Sequence, residues 1–205
     1  MSTSIILTTA YLPTIEYFAL IAQSEVFCLE AAESFQKQSY RNRGYIMTAN
    51  GVQQLIVPTL HSTQRSCIRD VRIDYKGRWQ AEHWRAIETA YSGTPYFLYF
   101  RDFFAPFYEN HYEFLFDFNL EITEMLLKLF KIKKSPVFTE DFQKEYEKGN
   151  DYRNLVHPKK EPLFVPTPYH QIFDDKLPFT WGVSVIDYLF NTGPDGSYLQ
   201  KLPRC

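Results

Sequence analysis

Apolar and polar positions change their period several times along the chain, and each change marks an element. Ser4 to Thr9 is a short β-branched run that predicts a buried strand. Ile15, Phe18, Ala19 and Ala22 then recur at helical spacing, after a Pro13 whose missing N–H suits a helix's first turn. Glu25 to Glu30 predicts a second strand. Strand, helix and strand of these lengths predict a right-handed βαβ unit that opens a parallel sheet. Tyr45–Thr48 and Gln54–Pro58 flank the turn signal Asn50-Gly51 and predict a hairpin. Ile68 to Tyr75 alternates with one slip, as a strand with a bulge would.

The period turns helical at Trp79. Trp79, His83, Ile87 and Tyr91 stand four apart on one face. An aromatic-rich helix is predicted over about Tyr96 to Tyr108. A third apolar stripe joins Leu115, Phe118, Ile122, Met125, Leu126 and Leu129. Lys128, Lys131, Lys133 and Lys134 complement its C-terminal dipole, and Pro136 stops it. Phe138 to Gly149 predicts a short helix or an irregular strand. Asn150 to Pro168, rich in Pro, Lys and Asp, predicts an ordered loop or linker, because Leu155, Val156, Leu163, Phe164 and Val165 still require burial. Ser184 can cap a helix reaching Phe190, ended by Gly193-Pro194. The pattern predicts one α/β domain over residues 1–205. A mixed sheet opening with the βαβ unit fills 1–77, a helical segment 78–135 and a C-terminal extension 136–205.

Composition narrows the function classes. The 18 Phe and 15 Tyr supply a core, and the Tyr hydroxyls can also line a wet cleft. A net charge of -2 makes no demand for a nucleic-acid or anionic-membrane partner. Cys28, Cys67 and Cys205 are odd in number and form no C-x-x-C, which predicts free, non-catalytic thiols in a reducing compartment. Cys28 is expected to be buried in its strand and Cys205 to lie in the tail. The N-terminus lacks a basic region, and no apolar run is long enough to cross a membrane. The expected location is the cytoplasm, without stable membrane insertion. No H-x-x-x-H or H-E-x-x-H spacing occurs, so neither a metal nor another cofactor is expected. G-x-S-x-G, the P-loop and G-x-G-x-x-G are absent too, which argues against a serine hydrolase, an NTPase and a dinucleotide dehydrogenase.

Candidate chemistry concentrates in Lys37-Gln38-Ser39-Tyr40-Arg41-Asn42-Arg43, just after a predicted parallel strand. Open α/β sheets bind ligands beyond the carboxyl ends of their strands. Lys37, Arg41, Asn42 and Arg43 are therefore expected to hold a small anionic ligand, together with Tyr11 at the first strand's end. Glu30 and Glu33 lie upstream; Glu33 can act as a base, although neutralising an arginine is the commoner role. His83, on the apolar face, is either a core histidine or a general acid/base facing a pocket near the basic loop. His61 and Cys67 lie close enough in sequence to consider a nucleophile pair, which six residues of loop do not guarantee.

The segments Tyr11-Leu12-Pro13, Tyr17-Phe18 and Lys37 to Arg43 resemble the WbqC-like family, in which Lys37, Asn42 and Arg43 fill a Lys-x-x-x-x-Asn-Arg pattern. The likeness continues through Asn50-Gly51, Arg72-Ile73-Asp74, Trp79, His83-Trp84 and Pro95-Tyr96-Phe97. The C-terminal stretch, with His157-Pro158-Lys159, Tyr169-His170-Gln171 and Ser184 to Pro194, resembles the branch common in Bacteroidetes. Thr9-Ala10 replaces the family's frequent Gln-Pro, and Glu30 and Glu33 stand where aspartates are frequent. The resemblance implies cell-surface polysaccharide (O-antigen) synthesis and a glycine- or acyl-transfer role. Two classes follow: a transferase acting on an activated sugar or acyl donor, or a non-catalytic protein that recognises an anionic ligand. A transferase requires His83 and the basic loop to line one cleft.

Overall fold

The computed structural model describes residues 4–60, 66–146 and 150–203. Strand β1 (Ser4–Thr8) and β2 (Val26–Glu30) pair in parallel, from Ser4 against Val26 to Thr8 against Glu30. Helix α1 (Ile15–Gln23) connects them. Its cap is Thr14, whose hydroxyl accepts from the Tyr17 N–H at 3.3 Å, so Pro13 precedes the cap instead of entering the first turn. At the other end Lys134 Nζ donates to the carbonyls of Ile21, Ala22 and Ser24. A lysine from a later segment thus satisfies carbonyls that a helix end leaves unpaired. Val137–Phe138 adds a third parallel strand, β5, on the far side of β2. This two-residue strand is all the regular structure in the stretch expected to be a short helix or irregular strand, within the described residues.

The antiparallel pairing forms a separate sheet, β3 (Arg43–Thr48) with β4 (Gly51–Ile56). The turn is Ala49-Asn50, one residue earlier than the sequence signal. Gly51 opens β4 at φ +99°, a conformation that glycine adopts without a Cβ clash. The alternation at Ile68 to Tyr75 does not make a strand. Ile68–Asp70 is a 3₁₀ turn, followed by isolated bridges at Arg72 and Ile73. Alternation alone misled here because no strand among the described residues lies in register beside it to complete a ladder.

Three helices follow, α2 (Trp79–Tyr91), α3 (Phe97–Glu109) and α4 (Leu115–Leu129), close to the predicted bounds. Phe118 of α4 ties them to the sheet half. Its ring meets Tyr11 at 5.6 Å, Trp79 at 5.8 Å and Phe107 at 6.2 Å between centroids. The C-terminal part ends in α5 (Val185–Thr192) and α6 (Gly196–Lys201), both packed on α1. Ser184 caps α5, its hydroxyl accepting from the Ile186 N–H at 3.3 Å, and Gly193 ends it. The α6 helix carries too short an apolar stripe to be read from the sequence.

Gly196 touches the end of α4. A Cβ there would lie 2.6 Å from the carbonyl oxygen of Phe130, a backbone atom that cannot swing aside. Gly196→Ala is expected to cost roughly 1–3 kcal/mol, the usual penalty for overpacking. Urea unfolding would measure it, and an unchanged midpoint would mean that α6 can shift without loss.

The Pro- and Lys-rich segment is the ordered loop of the two alternatives. Ile6 donates to the Asn150 carbonyl at 2.8 Å and accepts from the Tyr152 N–H at 2.9 Å, so the segment lies along the free edge of β1. Arg153 anchors it, donating to both Asp151 oxygens at 2.9 and 2.6 Å and to Glu30 at 2.8 Å. Among the described residues, no helix is long and apolar enough to cross a membrane.

Candidate functional site

The carboxyl end of β2 places two charge pairs side by side. Glu30, wholly buried, meets Arg153. Three residues on, Glu33 receives both Nε and Nη2 of Arg41, at 2.8 and 2.5 Å. Arg41 is 1% exposed and Glu33 3%. Burial pushes the Glu33 carboxyl above its ordinary range, with the Arg41 guanidinium pulling against it. Arg41 was expected to hold a ligand's anion, and its guanidinium is instead committed to Glu33. Glu33, buried and bound through both oxygens to Arg41, fills the neutralising role.

The other expected residues separate. Asn42 is buried and its Nδ2 donates to the Val57 carbonyl at 3.1 Å, so it ties the basic loop to the hairpin. Arg43 begins β3 and by strand alternation shares a face with Tyr45. Its Nε is buried, with no hydrogen-bond partner among the described residues. Lys37 is exposed. Tyr11 meets the loop through its backbone, donating its N–H to the Tyr40 carbonyl at 2.8 Å. Its side chain turns inward: the hydroxyl lies 2.9 Å from His83 Nδ1 and 2.9 Å from the Tyr108 hydroxyl. Tyr11 is 0% exposed and His83 6%.

Of the two alternatives for His83, the core histidine is the one found: it packs against Tyr11 and Trp79, with the Tyr11 hydroxyl as hydrogen-bond partner, and does not face a pocket near the basic loop. Burial lowers its pKa to about 4, which keeps the ring neutral at ordinary pH. Cys28 is half-buried, not fully buried, because it lies in a strand with one lightly covered face. Cys67 Sγ lies 3.3 Å from the Ala31 carbonyl oxygen. His61 and Cys205 lie outside the described residues.

The basic loop does border a cavity, formed with segments far away in sequence. A space of about 380 Å³ lies between Tyr40 and Tyr45, the run Pro158 to Glu161, and Trp181-Gly182. Tyr40 and Tyr45 meet edge to face at 5.8 Å. Lys159 Nζ donates to Gln38 Oε1 at 2.6 Å, which joins the two basic segments. Beside them, His157 Nδ1 accepts the Lys159 N–H at 3.2 Å. The imidazole proton of the neutral ring therefore sits on Nε2. Burial, then the nearby charges of Arg41, Lys160 and Lys159, lower the His157 pKa. This cavity has the wall chemistry for an anionic sugar or nucleotide: flat rings to stack on and ammonium groups to meet phosphate or carboxylate. Lys160, Tyr40, Tyr45 and Trp181 were not singled out from the sequence. The Lys159-Lys160 pair beside a histidine was a usable signal, but nothing in the spacing of Trp181 links it to residues 140 positions earlier.

Fold and cavity together define an α/β protein with a lysine- and aromatic-lined cleft between the basic loop, the start of the hairpin and the C-terminal segment. The model of the WbqC-like protein family matches residues 9–160, and the chain belongs to that family. It is similar to the uncharacterized protein Rv1507c of Mycobacterium tuberculosis (strain ATCC 25618 / H37Rv), 26% identical over 217 aligned residues that cover 93% of this chain and 94% of the relative. No solved structure matches the chain.

Proposed function

We propose that the protein is a group transferase, of the glycine- or acyl-transfer kind, in cell-surface polysaccharide (O-antigen-like) synthesis. In this reading the Tyr40–Trp181 cleft takes the anionic end of an activated sugar or acyl donor. One observation carries it: Lys159 and Lys160 converge with three aromatic rings in one cavity. His157, protonated on Nε2, would donate a hydrogen bond to a substrate oxygen as negative charge develops there. The family's link to polysaccharide synthesis supplies the substrate class.

A second reading, a non-catalytic protein that recognises the same anionic ligand, rests on a separate observation. His83 and Glu33, the candidate acid/base groups, are both buried and engaged with protein partners.

A titration with nucleotide-sugars and acyl donors, read by thermal shift and by mass spectrometry of products, tests both. Ligand that binds N and not U raises the melting temperature by mass action. Lys159→Glu/Lys160→Glu should weaken binding by roughly tenfold to a hundredfold, since each charge-assisted contact contributes about 1.5–3 kcal/mol. His83→Gln should lower stability and leave binding intact. A transferred product supports the transferase; saturable binding without product supports the binder. Undiminished binding by the lysine variant would remove the cleft from both.

A further inference from the structure

A second cavity, of about 570 Å³, lies on the other side of the hairpin, between the β3–β4 tip and the outer face of α2. Its construction follows from the helix. Trp79, His83, Ile87 and Tyr91 commit one face of α2 to the core. The opposite face carries Arg78, Ala81, Arg85 and Thr89 into the cavity, and Ala86 and Ala90 complete its floor. Alanines there keep the floor open, where longer side chains would fill it. Phe173, from the C-terminal segment, forms an aromatic wall, and Asn50 and Gln53 of the hairpin face the helix across the gap.

Arg78 and Arg85 lie seven residues apart, two helical turns or roughly 10 Å, on one side of the helix. Other arginines of this protein are engaged: Arg41 with Glu33, Arg72 with Glu113, Arg101 with Glu88 and Arg153 with Glu30. Arg78 and Arg85 pair with no carboxylate among the described residues. Glu82, on the turn between them, lines the same cavity and is paired with neither, so two guanidiniums face one carboxylate. The hairpin amides Asn50 and Gln53 each offer a donor and an acceptor side by side, the pattern that meets the edge of a heterocycle.

We propose that this cavity is a binding site for a nucleoside phosphate. The base lies on the alanine floor against Phe173, the amides of Asn50 and Gln53 meet its edge, and Arg78 and Arg85 hold the phosphates. Arginine suits that role because its planar fork grips phosphate bidentately and its charge is not lost at any working pH. The site shares no lining residue with the Tyr40–Trp181 cleft, and it stands whether or not that cleft serves a transferase.

The test is calorimetric titration of the full chain with uridine, guanosine and adenosine diphosphates, with adenosine and inorganic phosphate as separate probes. At least one diphosphate should bind saturably, more tightly than either probe. Arg78→Gln/Arg85→Gln should weaken it roughly tenfold or more. Ala81→Trp, which fills an exposed floor position, should abolish it without changing the melting temperature. The loss caused by Arg78→Gln/Arg85→Gln should persist when Lys159→Glu/Lys160→Glu is added, since the two sites share no lining residue. The proposal is overturned if no diphosphate saturates, if inorganic phosphate binds as tightly as the diphosphates, or if both groove variants bind as the unaltered chain does. Loss of binding on the lysine changes alone would likewise reject this groove and place the nucleotide in the other cleft.

Discussion

Arg41→Met should lower the free energy of unfolding by roughly 3–5 kcal/mol, the range for removing one partner of a buried ion pair. The substitution keeps most of the apolar stem, so lost packing contributes little. What changes is Glu33, whose two oxygens lose both guanidinium donors while remaining 3% exposed. Glu30 lies nearby and makes ionisation of Glu33 less favourable still. The variant Glu33 should therefore hold its proton to higher pH, and the variant's deficit should grow as pH rises and the carboxyl is forced to ionise. Arg41→Met/Glu33→Met should recover most of the loss, since an apolar pair of similar volume replaces a pair whose desolvation cost offsets its attraction. Urea unfolding of the three chains closes a double-mutant cycle. A single-variant loss below about 1 kcal/mol, the value of a solvent-exposed pair, would show that water reaches the site.

The second large effect is expected at Asp187. Its carboxyl is fully buried at the start of α5, with no ion-pair partner among the described residues. Oδ2 accepts from the Tyr169 hydroxyl at 2.6 Å and from Gln171 Nε2 at 2.8 Å. The Tyr91 hydroxyl, which accepts the Met47 N–H at 3.1 Å, also favours the ionised form. Burial outweighs these donors and raises the Asp187 pKa. Asp187→Ala leaves Tyr169 and Gln171 short of an acceptor, at roughly 1–3 kcal/mol for each unsatisfied donor. The pH dependence has a definite sign. The folded chain holds this proton more tightly than the unfolded one. The contribution is therefore full below the unfolded pKa of about 3.9 and falls as pH rises toward the folded value. Asp187→Asn keeps an acceptor and removes the titration, so it should flatten that decline in melts taken from pH 4 to 8. Glu16 and Glu33, also raised by burial, account for what slope remains. An unchanged slope would mean that Asp187 titrates at its ordinary value.

Much of the local structure was legible because local physics decides it. The stripes of α2 and α4, the Ser184 cap and the Gly193 stop need only helical spacing and terminal hydrogen bonding. The strand–helix–strand opening follows from a β-branched run at Ser4 to Thr9 and a second short apolar run at Glu25 to Glu30 around an apolar helix. The Ile68–Tyr75 pattern failed because alternation makes a strand only where another backbone completes the ladder, and the 3₁₀ turn pairs locally instead.

The site was legible only in part, and the reason is electrostatic. Residue type identified Lys37, Arg41, Asn42 and Arg43 as a cluster, but type cannot say which charge meets a partner. Burial decides that: Arg41 goes inside because Glu33 is there to neutralise it, and Asn42 goes inside to tie the hairpin. The cations that line the Tyr40–Trp181 cleft, Lys159 and Lys160, come from a segment that its pairing with Ile6 and the Glu30–Arg153 contact fold back onto the sheet. His83 shows the same division. Its helical spacing placed it on the inward face, and only the packing of Tyr11 and Tyr108 showed that its hydrogen bond is made within the core. The sequence by itself determined β1 to β4, α1 to α5, the Ser184 cap and the family pattern, since these rest on neighbours a few positions away. Which charges cancel, which rings line a cleft and which arginines stay unpaired were decided by tertiary structure, because each depends on which side chains meet inside the fold, from Arg41 and Glu33, eight positions apart, to Arg153 and Glu30, 123 apart.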